Sequence, residues 1–73
     1  MATVHITGAH RRYRPISFVK AVRKVTGEGL ATAKDKLDQV VAGHAVEIEL
    51  ADDLAATFVG EIEQMGFLAH FSQ

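Results

Sequence analysis

The chain has 73 residues, 48% of them hydrophobic and 23% charged, with a formal net charge of −1 and no cysteine. That length makes one domain, which buries only about 60% of its unfolded surface and is therefore modestly stable. Disulfide staples and thiolate metal sites are excluded, and no apolar run reaches the roughly 18–20 residues of a membrane span. The first residues carry no basic segment followed by an apolar run, so no signal peptide is expected, and a cytoplasmic location is. Charge is unevenly spread. All eight Lys and Arg lie between Arg11 and Lys36, with only Glu28 and Asp35 among them, while the other seven acids run from Asp38 to Glu63. A basic face and an acidic face follow, and an acidic partner for the basic one is a natural reading beside simple solubility.

Residues 3–7 alternate polar and apolar and are rich in β-branched side chains, which predicts a strand with Val4 and Ile6 inward. Gly8 is expected to end it. A polar loop over residues 9–14 leads to Pro15, well placed just inside a helix start, where its missing N–H costs nothing. The first helix is expected over residues 15–25. At about 100° per residue, Phe18, Ala21, Val22 and Val25 form a core stripe. Ile16, Val19, Lys20 and Arg23 fall on the opposite face. Apolar side chains off the core and beside cations are what a docking surface looks like, although single exposed apolar residues are also common.

Gly27 suits a left-handed helix cap, and Gly29 lets the turn close. The second helix then carries Leu30, Ala33, Leu37, Val40 and Val41 at helical spacing, so the pair forms an αα-hairpin. Residues 42–44 end it. Residues 45–50 make the cleanest strand, with Val46, Ile48 and Leu50 on one face and Glu47 and Glu49 on the other. Asp52 and Asp53 are N-cap candidates for a third helix that buries Leu54, Phe58, Ile62 and Met65. Gly60 weakens that helix by about 1 kcal/mol relative to Ala, unless close packing needs it. Gly66 caps it. Residues 67–71 form the last strand, with Phe67, Ala69 and Phe71 inward.

The order β-α-α-β-α-β predicts an α+β fold: a two-layer sandwich with a three-stranded antiparallel sheet, the first strand central and all three helices on one face. Glu47, Glu49, His5 and His70 then lie on the open face. Weak self-association through the edge of the last strand and Leu68 is expected of so small a core.

Reactive chemistry is sparse. His5, His10, His44 and His70 lie on different elements with no i, i+4 pair, which favours ordinary surface histidines over a metal site, though His5 and His70 could be neighbours across two strands. Ser17 and Ser72 lack a nucleophile-elbow context. Asp52 and Asp53 fit capping far better than acid–base work. The Gly27–Gly29 turn lacks the spacing and Lys-Ser/Thr pair of a phosphate loop. Arg11, Arg12 and Arg14 around Tyr13 could hold a single-stranded nucleic acid, against the commoner reading of a solvated basic loop. A binding module rather than an enzyme is expected, with no cofactor.

Phe18-Val19-Lys20-Ala21-Val22-Arg23, then Thr26-Gly27-x-Gly29-Leu30 and Ala33-Lys34, closely resembles the C-terminal domain of the bacterial large-subunit ribosomal stalk protein. The resemblance is strong over residues 16–38 and weaker toward both ends. It implies the fold just described and a role in translation: recruiting GTPases such as elongation factors Tu and G to the ribosome through the exposed face of the helical hairpin. Carried over by position, the contacts are Ile16, Val19, Lys20, Arg23, Gly27, Gly29 and Lys34. The chain departs from the family in several places. Pro15 stands where the family tends to have Lys, and Glu28 where it usually has an apolar residue. The proline that commonly follows the second helix is missing, and the strand at 46–50 is stronger than the family's own. The stalk protein's dimerisation domain and hinge have no counterpart in these residues, so a free-standing relative is expected, without ribosome anchoring of its own. A substrate-delivery module like the Clp protease adaptor, which shares the fold, and a small RNA-binding protein using the 11–14 loop are the alternatives.

Overall fold

Strand alternation and glycine turns divide the chain into β1 (Ala2–Ala9), α1 (Pro15–Thr26), α2 (Leu30–Val41), β2 (Val46–Leu50), α3 (Asp52–Gln64) and β3 (Phe67–Ser72), in a computed structural model that describes all 73 residues. The strands form one sheet in the order β2-β1-β3, and both pairings are antiparallel. The expected α+β architecture is therefore present, with the first strand in the centre. Val4 and Ile6 of β1, Val46, Ile48 and Leu50 of β2, and Phe67 of β3 point into the core. The helices supply Phe18, Ala21 and Val22, then Ala33, Leu37 and Val40, then Ala55, Phe58, Val59 and Ile62. None of the buried residues is polar or charged. Phe18 stacks on Phe67 with ring centroids 4.3 Å apart, which ties the first helix to the last strand.

Several expectations need correction. Gly8 does not end β1. After a register shift between Ile6 and Gly8, the strand goes on to pair Gly8 with Leu68 and Ala9 with Phe67. Asp52 and Asp53 do not cap α3, whose N-cap is Ala51 with no side-chain hydrogen bond. They occupy its first turn, where their charge still favours the positive end of the helix dipole. Leu54, Leu30 and Val41 are exposed rather than packed, because each lies off the narrow stripe that its helix turns to the sheet. Phe71 is also exposed, near the end of an edge strand. Gly60 has open space around it, so close packing does not explain that glycine.

Two glycines answer a backbone need. Gly27 ends α1 at φ 73°, and its N–H donates to the Arg23 carbonyl at 2.9 Å. Gly66 turns into β3 at φ 94°, and a Cβ there would stand 2.9 Å from the Tyr13 Cα. That close approach goes with two backbone bonds, His10 N–H to Gly66 O at 2.7 Å and Arg14 N–H to Met65 O at 2.8 Å. Tyr13 packs edge-on against Phe67, with ring centroids 5.7 Å apart. The basic loop is thus pinned to the β3 turn and delivers the chain to Pro15 at the start of α1.

Candidate functional site

The hairpin of α1 and α2 is closed by a polar latch. The Thr26 hydroxyl donates to the Val22 carbonyl at 2.7 Å and accepts the Glu28 N–H at 3.2 Å. Lys36 Nζ, two turns into α2, donates to Glu28 Oε2 at 2.7 Å. The side chains of Lys36 and Glu28 are only 20% and 27% exposed, so the pair is shielded from solvent more than a surface ion pair is. The Lys36 hydrogen bond holds the Glu28 carboxyl below its ordinary value of 4.5, against the opposing effect of burial. Glu28 therefore serves to fix the crossing of the two helices.

Between the latched helices runs a groove of about 330 Å³. Pro15, Ile16, Val19, Leu30 and Leu37 give it apolar walls, and Lys20, Arg23 and Lys34 line it as well. Five of the seven residues expected to bind a partner, Ile16, Val19, Lys20, Arg23 and Lys34, thus share one concave surface. Gly27 and Gly29 sit in the turn and do not line it. Pro15, Leu30 and Leu37 line it too, although helical spacing alone assigns Leu30 and Leu37 to the core.

Val19 needs a correction of its own. The helical wheel set it away from the core, but it is only 8% exposed, whereas Ile16 is 72% exposed. The wheel allows for one buried side, toward the sheet. α1 packs against α2 as well, and Val19 lies within the shared groove. Leu37, also 8% exposed, combines core and groove positions in the same way. Gly29 is the N-cap of α2, with an ordinary extended backbone, φ −73° and ψ 168°, and a Cβ there would meet nothing within 4 Å. Glycine is favoured over alanine at an N-cap, so the fold itself accounts for it.

Electrostatics sets this region apart. Of the eight Lys and Arg side chains, only Lys36 forms an ion pair. Arg11, Arg12, Arg14, Lys20, Arg23, Lys24 and Lys34 are exposed and have no acidic partner. On the open sheet face the polar groups bond to one another instead. His5 Nδ1 lies 3.3 Å from Glu47 Oε2, and His5 Nε2 lies 3.1 Å from Ser72 Oγ. His5 and His70 are cross-strand neighbours with stacked rings, centroids 4.9 Å apart and planes 15° from parallel. Both ring nitrogens of His5 are engaged, and no three His, Asp or Glu side chains converge as metal ligands. A second, more polar notch of about 340 Å³ lies beside the latch, between Glu28 and Lys36 and the outer glutamates of β2. No helix is long and apolar enough to cross a membrane. No protein-family model and no curated protein matches the chain.

Proposed function

We propose that the chain is a non-catalytic protein-binding module that docks an acidic protein surface in the α1–α2 groove. Its partners are translational GTPases of the kind that ribosomal stalk C-terminal domains recruit, elongation factors Tu and G. The observation that carries this reading is the pairing of exposed Ile16 and recessed Val19 with three cations that have no internal partner, Lys20, Arg23 and Lys34. Ile16 and Leu30 supply apolar surface that a partner desolvates, and the cations form a rim that steers encounter. The family resemblance names the same hairpin and the same side chains.

Binding of an elongation factor to immobilised protein, followed at several salt concentrations, tests this reading. Ile16→Ala should mainly speed dissociation, with a loss of about 1–2 kcal/mol of affinity. The Lys20/Arg23 double alanine variant should mainly slow association and flatten its salt dependence. A factor that binds both variants as it binds the parent would rule the groove out. Salt-sensitive capture of single-stranded RNA, lost on neutralising Arg11, Arg12 and Arg14, would point to the basic loop instead.

A further inference from the structure

The sheet has two free edges, and their chemistry differs. β2 carries Glu47 and Glu49 at both of its outward positions, so antiparallel pairing with another β2 sets glutamate against glutamate. β3 reads Phe-Leu-Ala-His-Phe-Ser, with no carboxylate, lysine or proline to blunt it. It also leaves apolar surface uncovered at both faces of the sheet: Leu68 is 49% exposed and Phe71 39% exposed. The register shift in this pairing falls on β1, between Ile6 and Gly8, so it does not bend the outer edge away.

We infer that β3 is a self-association edge whose occupant is the β3 strand of a second copy of this chain, paired antiparallel about a two-fold axis near Ala69. In that register Phe71 of each copy lies opposite Phe67 of the other, and Leu68 opposite His70, so the exposed apolar side chains gain cross-strand partners. A second copy fits this edge better than an unrelated strand, because the assembly closes. The resulting six-stranded sheet, β2-β1-β3-β3-β1-β2, ends on both sides in glutamate-bearing β2 edges, which stops growth at two. Six residues of edge make a small interface, so the dimer is weak and reversible.

Sedimentation of the whole chain across a wide concentration range, with nitrogen-labelled amide spectra at the two extremes, tests this inference. It is expected to show a monomer–dimer equilibrium with no larger species, and concentration-dependent shifts confined to residues 67–72 and their neighbours in β1. Leu68→Lys should weaken association at least tenfold while keeping the monomer's dispersed spectrum. Should that variant unfold, the shift map of the unsubstituted chain decides alone. A monomer at every concentration, shifts centred on β2 or the helical hairpin, or a Leu68→Lys variant that associates as well as the parent would each overturn it.

Discussion

The two faces of this small sandwich use their polar groups in opposite ways. On the open sheet face, His5 bonds Glu47 and Ser72 through its two ring nitrogens and stacks on His70, so its hydrogen-bonding capacity is already met within the domain. On the helical hairpin, Lys20, Arg23, Lys24 and Lys34 stand without an acidic partner, and three of them line a groove with apolar walls. Self-satisfied groups offer a newcomer little net gain, because each new bond replaces an existing one. Unpaired cations beside apolar surface offer both steering and desolvation. The contrast supports the proposal that the domain binds through its helices rather than through the open sheet face.

Substitutions sharpen that contrast in descending order of effect. Phe58→Ala, in the core between α3 and the sheet and far from the groove lining, should cost about 3–5 kcal/mol and lower Tm steeply in a thermal scan. Val19→Ala should cost about 1–3 kcal/mol of stability as well as affinity, because Val19 is both packed and part of the groove. Ile16→Ala, by contrast, should leave stability within about 0.5 kcal/mol and change only binding. If denaturant curves for the two variants coincide, the distinction between recessed Val19 and exposed Ile16 is wrong. Glu28→Gln should cost about 1 kcal/mol at neutral pH. The Glu28 carboxyl has a lower pKa folded than unfolded, so its latch contributes fully above the ordinary value of 4.5 and is lost as pH falls through the lower folded value. The stability gap between parent and variant should therefore close in acid. A gap that persists unchanged at low pH would show that the Lys36 pair is not its source. His5→Ala on the sheet face should change stability by only about 0.5 kcal/mol and should leave factor binding untouched.

Much of this arrangement is legible in the chain itself. Period-two alternation at 46–50, helical spacing from Phe18 to Val25 and the glycines at 27 and 66 specify the elements. The antiparallel order follows from connection lengths and crossover rules. His5 and His70 are foreseeable as neighbours once that order is known. Other features depend on how elements meet. Val19 is buried by a second helix, and a wheel drawn for one helix against one sheet has no place for that neighbour. Phe71 keeps the inward period of its strand but lies beyond the reach of the covering layer, and periodicity does not say where a layer ends. The Glu28–Lys36 latch joins residues eight apart across a turn, which becomes a contact only at the observed helix crossing. Leu30 and Leu37 carry the spacing of core residues, so their place in the groove emerges only when both helices are seen together.

The most direct test of the docking site is a titration of isotope-labelled protein with an elongation factor, read residue by residue from amide shifts. Perturbations should cluster on residues 15–37, strongest at Ile16, Lys20, Arg23, Gly29 and Lys34, with β2 and the His5–His70 face unmoved. Shifts that map to the sheet face or α3 and leave the hairpin silent would contradict the account.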